Sequence, residues 1–304
     1  MAIAGIALLA GCAGDEQAPS PPRSATVTQT TASAVVRPAL CEGALRVRVT
    51  GRVSSRTASE LSGLVLSRSR PGVLWAHNDS GDSPRLLAVG TSGAPVAEVA
   101  LSGAVNVDWE DIAAGPDGTL LVGDIGDNLG RRPSVVVYRV PEPRASGTVA
   151  VGARHELRYP DGARDAEALL FDRSNGAIVI VTKSFGGEAR VYAARRPSSR
   201  QVTMLRRSGT IQLGLAEPVT AGDVSADGRT IALRTYDSAF VWRRRAGETI
   251  TAALRRRPCR ADADLAGEGQ GEALALNRNG LAFFTVPEGP RPPLRRYETS
   301  GAVS

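Results

Sequence analysis

Residues 106–128 read NVDWEDIAAGPDGTLLVGDIGDN and contain two short apolar runs, EDIAAG and TLLVGDI, on either side of Pro116-Asp117-Gly118. An Asp-Gly pair between apolar runs is one of the strongest short signals for a β-hairpin. Six carboxylates accompany the runs, namely Asp108, Glu110, Asp111, Asp117, Asp124 and Asp127. The stretch therefore predicts two paired strands, and it raises the question why a chain with a formal net charge of +6 collects acids there.

Hairpins of this kind recur along the chain. The first runs are SGLVLS (62–67), EDIAAG (110–115), EALLFD (167–172), GDVSAD (222–227) and EALALN (272–277). Aligned on Leu64, Ile112, Leu169, Val224 and Leu274, successive copies are 48, 57, 55 and 50 residues apart. A turn and a second run follow each copy: VLWAHN, TLLVGDI, AIVIVTK, TIALRTY and LAFFTV. A supersecondary unit repeated at this spacing is typical of propellers and other repeat architectures.

Third and fourth runs complete the units. The third runs are RLLAVG (85–90), SVVVYRV (134–140), RVYAAR (190–195), SAFVWRR (238–244) and PLRRYET (293–299), and the fourth runs are PVAEVAL, HELRY, TIQLGL and ETITAAL. The pattern predicts an all-β fold, a β-propeller of four-stranded antiparallel blades. Five blades fit the repeats; six would require that one unit has been merged or missed, and a β-sandwich is the alternative fold.

The fifth unit has no fourth run of its own. The segment LRVRVTGRV (45–53) precedes the first unit and can supply this outer strand, which would close the ring and cover an open edge. Cys41 lies just before that segment, and Cys259 lies in the connection into the fifth unit. We therefore predict a disulfide between Cys41 and Cys259, with two reduced, unrelated cysteines as the alternative.

The N-terminus, MAIAGIALLAGC (1–12), is an apolar run that ends in Leu9-Ala10-Gly11-Cys12. This ending resembles the lipobox of bacterial lipoproteins, in which cleavage before the cysteine is followed by attachment of diacylglycerol to its thiol. An ordinary signal peptide and a chance apolar start are the alternatives, and no Lys or Arg precedes the run. The resemblance implies a signal peptide over 1–11 and a lipid on Cys12.

Residues 13–40 are rich in Ala, Ser, Thr and Pro, a composition that favours a flexible tether over a packed core. The expected organisation is a signal peptide (1–11), a lipidated Cys12 with its tether (12–40) and a propeller domain (41–304). Such a chain would be a monomer held by its lipid on the extracytoplasmic side of the cell membrane.

The positive charge is carried almost entirely by arginine, since Lys183 is the one lysine among 37 Lys and Arg residues. A basic balance permits contacts with anionic polymers or membrane surfaces. The arginines are spread along the chain without an arginine-aromatic motif, so we expect a solvated surface and no nucleic-acid partner.

The acids fall at two kinds of position in the predicted blades: at the start of the first strand, which lines the central channel, and at the end of the second strand beside it. They should therefore ring one mouth of the channel. A cation with oxygen ligands, above all Ca2+, would relieve their repulsion, as would Lys183 or Arg234. Hydrogen bonds from backbone amides at blade junctions are the alternative. The predicted metal ligands are Asp108, Glu110, Asp111, Asp124, Asp127 and Glu167.

Three segments carry a family resemblance: DWED (108–111), DAEAL (165–169) and QGEAL (270–274). Together with the repeat over residues 45–300 they resemble bacterial phytase-like β-propellers. The Asp- and Glu-rich channel mouths of that family hold calcium and phosphate. The resemblance implies the same architecture and the same placement of acids here.

Two functions fit these observations, and because the propeller fold does not decide between functions we prefer the more general one. In the first, the mouth binds an unknown small-molecule or protein ligand, through His77, Asn78, Asp79, Glu272 and Glu288. In the second, the chain is a Ca2+-dependent hydrolase of a phosphoester or a lactone. The catalytic residues would then be Glu167 or Asp223 as general base, with Lys183 and Arg234 holding an anionic substrate.

Overall fold

A computed structural model describes Gly11 and residues 37–300, and the described chain forms a five-bladed β-propeller. Blade 1 consists of β2 (Leu61–Leu66), β3 (Val73–Asn78), β4 (Arg85–Gly90) and β5 (Pro95–Ser102). Blade 2 consists of β6 (Trp109–Ala114), β7 (Thr119–Asp124), β8 (Val135–Pro141) and β10 (Ala153–Arg158). Blade 3 consists of β11 (Ala166–Asp172), β12 (Ala177–Thr182), β13 (Glu188–Arg195) and β15 (Arg206–Gln212).

The last two blades complete the ring. Blade 4 consists of β16 (Ala221–Val224), β17 (Thr230–Arg234), β18 (Ala239–Arg243) and β19 (Cys259–Arg260). Blade 5 consists of β20 (Gly271–Leu276), β21 (Ala282–Pro287), β22 (Pro293–Glu298) and β1 (Arg46–Arg52). Two short strands, β9 (Gly147–Ala150) and β14 (Thr203–Met204), pair in parallel with β5 and β10 at the outer edges of blades 1 and 2. All-β architecture and five blades are thus confirmed.

The N-terminal strand closes the ring as predicted. β1 pairs antiparallel with β22, from Arg46 opposite Glu298 to Arg52 opposite Pro293. The predicted disulfide between Cys41 and Cys259 is also present, with a Cα–Cα distance of 6.2 Å. It joins the 3-10 turn Ala39–Cys41 to the outer strand of blade 4 rather than to a connection into blade 5, so it spans the seam between these two blades.

One predicted strand is wrong. The segment ETITAAL, expected as the fourth strand of blade 4, instead contains the helix α1 (Ile250–Leu254). Thr249 caps this helix, because its side chain accepts a hydrogen bond from the amide of Ala252, and two alanines and a leucine favour the helical turn. Ile250, Ala253 and Leu254 are buried against blades 3 and 4. The outer strand is β19, which is only two residues long.

The apolar core lies in the seams between blades. Five clusters of buried side chains fill the five seams, and each draws on two neighbouring blades. Trp75 and Trp109 pack in the seam between blades 1 and 2, and Trp242 packs between blades 3 and 4. Because every inner strand is buried on both sides, polar groups on these strands need partners within the channel.

The predicted signal peptide, the lipid on Cys12 and most of the tether lie outside the described residues. Pro38 and Leu40, the last part of the predicted tether, are buried against the propeller. No helix in the described part of the chain is long and apolar enough to cross a membrane.

Candidate functional site

Three inner strands carry a one-residue β-bulge close to their start, and the bulged residue is a glutamate each time. The ladder between first and second strands skips Glu110 in β6, Glu167 in β11 and Glu272 in β20. A bulge turns the extra side chain out of the alternating pattern of the strand. The three glutamates are nevertheless buried, with 2%, 2% and 5% of their surface exposed.

Blades 1 and 4 differ from this pattern. In blade 1 the bulged residue is Gly63, at φ +75°, and a Cβ atom there would lie 2.6 Å from Nε2 of His77. The imidazole of blade 1 thus occupies the space that a side chain at the bulge would need. In blade 4, β16 and β17 pair without a register shift. The channel therefore receives a bulged glutamate from blades 2, 3 and 5 only.

The three glutamates converge on one point. One carboxylate oxygen from each of Glu110, Glu167 and Glu272 lies within 4.8 Å of the others. Asp79 and Asp108 form a second such group with Glu110, and Asp79 and Glu288 form a third with Glu272. We call these six residues the acidic mouth: Asp79, Asp108, Glu110, Glu167, Glu272 and Glu288.

The carboxylates of the acidic mouth repel one another. Burial raises the pKa of Glu110 well above its usual value, and the charges of Glu167, Asp79, Asp108 and Glu272 raise it further. Burial and then the charge of Asp79 raise the pKa of Asp108 to about 6. Burial and a hydrogen bond with Glu272 raise the pKa of Glu288 to about 8. The site is thus short of positive charge.

In the described part of the chain, Lys183 is the cation in contact with the acidic mouth. Its ammonium group forms an ion pair with Glu167 and lies 3.7 Å from Oε1 of Glu272. Burial lowers the pKa of Lys183, but the charge and hydrogen bond of Glu167 outweigh burial and hold the pKa above its usual value. The hydroxyl of Tyr236 donates to Oε1 of Glu272 at 2.9 Å, and its ring lies 5.4 Å from Nζ of Lys183. One ammonium group does not neutralise six carboxylates.

Glu167 shows the shortage most clearly. One of its oxygens bonds Lys183, but the other, Oε2, is buried and has no hydrogen-bond partner within the described residues. A buried carboxylate oxygen without a donor is costly. Ca2+ binds oxygen ligands at about 2.3–2.6 Å, so ligands on opposite sides of the ion lie about 5 Å apart. The three glutamate oxygens all lie within 4.8 Å of one another, close enough to bind one such ion.

Asp111 and Asp223, also buried in the channel, are held in a different way. Asp111 accepts backbone N–H bonds from Ile112 at 2.9 Å, Leu169 at 2.8 Å and Gly222 at 3.2 Å, which join the inner strands of blades 2, 3 and 4. Asp223 accepts from the amides of Val224 at 2.7 Å and Leu276 at 2.8 Å, which joins blades 4 and 5. Burial raises the pKa of Asp223 to about 7. These two aspartates link the inner strands of blades 2 to 5 by hydrogen bonds.

The structure brings only some of the predicted metal ligands together. Asp111 is not part of the acidic mouth, because its two oxygens accept backbone amides. Asp124 pairs with Arg132 at 2.8 Å and accepts the amide of Asp108 at 3.1 Å. Asp127 accepts the amides of Arg131 and Arg132 at 2.9 and 2.8 Å and so shapes its own loop. Of the predicted metal ligands, Asp108, Glu110 and Glu167 come together.

The predicted catalytic residues are also placed in different surroundings. Asp223 already accepts two backbone amides, which leaves it badly placed to act as a base. Arg234 is fully buried, donates to Oε2 of Glu268 and to the carbonyl of Ala273, both at 3.1 Å, and so braces blades 4 and 5 instead of holding a substrate. Glu167 and Lys183 remain at the site.

Among the predicted ligand-binding residues, Asp79, Glu272 and Glu288 belong to the acidic mouth, whereas His77 and Asn78 serve the scaffold. His77 is fully buried with Nδ1 3.0 Å from the carbonyl of Asn78, and burial lowers its pKa to about 4. The amide group of Asn78 donates to Asp82 at 2.8 Å. Tyr236 was missed, because nothing in TIALRTY distinguishes a channel-facing tyrosine from one in a seam.

Neither a protein-family model nor a curated protein sequence matches this chain. Among solved structures, a gluconolactonase from Xanthomonas campestris aligns with 86% of this chain and 96% of its own, at 12% sequence identity and a TM-score of 0.45. We therefore base the function on the geometry of the site.

Proposed function

We propose that this chain is a ligand-binding β-propeller whose acidic mouth holds a divalent cation, Ca2+, between Glu110, Glu167 and Glu272. The observation that carries the proposal is the convergence of three bulged glutamates, one of which has a buried oxygen without a partner in the described chain. A bound cation would satisfy that oxygen and relieve the repulsion that raises the pKa values of the mouth.

The ligand would approach from the solvent side of the mouth. Asp79, Asp108 and Glu288 are partly exposed there, whereas the three glutamates lie deeper. A cation bound by the buried glutamates on its inner side would have open coordination positions on the side that faces solvent. An oxygen atom of a small molecule or of a protein side chain can fill these positions. Lys183 and Tyr236 flank these positions and would select for a ligand with an anionic or hydrogen-bonding group.

The test is thermal unfolding of the chelated protein with Ca2+ or Mg2+ added back. We expect a Ca2+-selective rise, since a cation at a hundred times its dissociation constant stabilises the folded state by about 2.7 kcal/mol. Glu167→Gln should abolish the rise. Asp237→Asn is the matched control, because Asp237 is exposed in a turn at the same end of the channel and lies outside the acidic mouth. An equal rise in Glu167→Gln, or none in the parent, would refute the proposal.

A second candidate is a Ca2+-dependent hydrolase, and the pKa of Glu288 favours it. A carboxyl group whose pKa is raised to about 8 can exchange a proton near neutral pH, and Glu288 shares a hydrogen bond with Glu272 at the site. The cation would supply Lewis-acid polarisation of a substrate oxygen. Lys183 could hold the developing negative charge, and Glu167 or Glu288 could accept or return a proton.

The basic groups at the mouth favour a lactone over a phosphoester. Phosphate recognition usually employs several cationic donors. Within residues 37–300, however, Lys183 is the cation that contacts the acidic mouth, and Arg234 is buried between blades 4 and 5. A panel of lactones and phosphomonoesters, assayed with Ca2+, separates the two candidates. Turnover that Glu288→Gln lowers at unchanged Ca2+ affinity would establish a hydrolase; no turnover on the panel, with Ca2+ bound, would leave the binding function.

The same proposal places the chain outside the cytoplasm, anchored through a lipid on Cys12. The lipobox-like ending at Cys12 supports the anchor, and the disulfide between Cys41 and Cys259 fits an oxidising compartment. Fractionation of cells that make the parent or Cys12→Ser tests it. The parent should sediment with membranes and the variant should not; an equal distribution would contradict the anchor.

A further inference from the structure

The end of the channel opposite the acidic mouth is rich in arginine. The turns between first and second strands all lie at this end, and four of the five carry arginine: Arg68 and Arg70 in blade 1, Arg173 in blade 3, Arg229 in blade 4 and Arg278 in blade 5. Connections between third and fourth strands add Arg196 in blade 3 and Arg245 in blade 4. The two ends of the propeller therefore differ in the sign of their charge.

Two grooves open among these arginines. One, of about 500 Å³, lies between blades 2 and 3 and is lined by Arg139, Arg173 and Arg196. The other, of about 530 Å³, lies next to it and is lined by Arg173, Arg229 and Arg245. Arg173 lines both grooves, so the positive surface is continuous across blades 2 to 4.

Five exposed arginines define what we call the basic end: Arg173, Arg196, Arg229, Arg245 and Arg278. None of them forms an ion pair within the described residues, although nearby arginines do. Arg244 pairs with Asp172 at 3.1 Å and Arg256 pairs with Glu248 at 2.9 Å. Asp172 and Glu248 are thus paired with other arginines. Two exposed acids remain in the turns of this end, Asp117 and Asp227, against five exposed arginines, so the surface stays positive.

The described chain begins at this side of the propeller. Ala39 and Glu42 line a groove together with Leu281, which follows the turn that carries Arg278. Cys12, the predicted site of the lipid, is 25 residues before Arg37. A segment of 25 residues reaches at most about 80–90 Å. A lipid on Cys12 would hold the basic end within reach of a bilayer.

We propose that the basic end docks on a bilayer of anionic lipids, so that the acidic mouth faces away from the membrane. Lipid phosphates match the guanidinium group, which can bind them with two parallel hydrogen bonds. The anionic bilayer repels the carboxylates of the acidic mouth, so the charge distribution of the protein itself orients the molecule. This docking adds to the proposed anchor on Cys12 but does not depend on it, because the charges act without the lipid.

The test uses the full chain as Cys12→Ser, which removes the lipid and isolates the surface. Its sedimentation is measured with vesicles of equal parts phosphatidylglycerol and phosphatidylcholine, and with vesicles of phosphatidylcholine alone. We expect binding to the anionic vesicles only, and loss of binding as salt is raised. The added changes Arg173→Gln, Arg229→Gln and Arg245→Gln should weaken binding on the order of 100-fold, since each arginine near an anionic surface contributes roughly a factor of five.

A matched control has the same change in net charge at the other end. Arg56, Arg131 and Arg291 are exposed in connections at the mouth end and form no ion pair within residues 37–300. Their triple change to Gln should leave vesicle binding within about twofold if only charges near the membrane act on it. Equal losses in both triple variants would show an effect of net charge alone and overturn the proposal. The proposal would also be overturned if the Cys12→Ser chain failed to bind anionic vesicles. It would be overturned too if RNA at the same phosphate concentration displaced this chain from the vesicles.

Discussion

Glu110 and Asp111 are neighbours on the same inner strand, both buried in the channel, and the protein treats them in opposite ways. Asp111 accepts three backbone amides from three blades. Glu110 is pushed out of the strand by a bulge and faces other carboxylates. Burial and charge therefore do not identify a functional acid. The hydrogen-bond and ion-pair partners of its oxygens identify it. Asp111 completes the scaffold, whereas Glu110 forms no ion pair within residues 37–300.

The largest effect should come from Asp111→Ala. The change leaves three buried amide donors without an acceptor, each at a cost of about 1–3 kcal/mol, so the free energy of unfolding should fall by about 3–5 kcal/mol. Denaturant unfolding measures it. A loss below about 1 kcal/mol, within the range of an ordinary surface substitution, would contradict the stabilising role of Asp111.

Lys183→Met should come next. It removes the cation of the site and leaves both oxygens of Glu167 buried without a donor in the described chain. Breaking such a pair costs several kcal/mol in a dry interior, and we expect about 2 kcal/mol here because the Lys183 side chain is partly exposed. The loss should shrink when Ca2+ is added. Unfolding measured with chelator and with Ca2+ shows whether it does; a loss unchanged by Ca2+ would mean that lysine and cation do not share the site.

Glu110→Gln should change the free energy of unfolding in the opposite direction. Without Ca2+ it removes a buried charge among like charges, so the unfolding free energy should rise by roughly 1 kcal/mol. With Ca2+ the variant should be the less stable protein, because it has lost a ligand. Melts at increasing Ca2+ should therefore show the stabilities of the parent and of Glu110→Gln crossing. Such a crossing would distinguish Glu110, as a cation ligand, from Asp111. A variant less stable than the parent in chelator would contradict it.

The stability of the chelated protein should also depend on pH. The pKa of Glu288 is raised from 4.5 to about 8 in the folded chain, so folding favours its protonated form. Its contribution is therefore lost as pH rises from about 4.5 to about 8, and Asp108, with a pKa of about 6, acts in the same direction. Melts of the chelated protein across this range should show falling stability, and Glu288→Gln should flatten the fall. A stability that rises over this range would contradict the account.

Much of the fold could be predicted from the sequence because it is written in local signals. Asp-Gly and Asn-Gly turns between apolar runs mark the inner hairpins, and the spacing of the copies gives the blades. The closing strand and the disulfide follow from the missing fourth run of the fifth unit. The failure at Ile250–Leu254 has a local cause as well, since an apolar run of that length fits a strand or a short helix and Thr249 decides between them.

The site was less predictable, because its chemistry depends on one-residue bulges. A bulge moves Glu110 from one face of its strand to the channel and leaves Asp111 to bond the next blades, and no sequence pattern separates the two. The alignment of the first unit on Leu64 is off by one residue for the same reason: Leu64 follows the bulge directly, as Asp111 does in blade 2. The sequence could show that acids gather at one mouth, but not which acids lack partners.

The most direct test of the central claim is an anomalous difference map from a crystal soaked in Ca2+. We predict a peak about 2.3–2.6 Å from carboxylate oxygens of Glu110, Glu167 and Glu272, with Oε2 of Glu167 among its ligands and Lys183 displaced from it. An empty mouth at saturating Ca2+, with the ammonium group of Lys183 still bonded to Glu167 and Glu272, would contradict the account and make the lysine the counter-ion of this site.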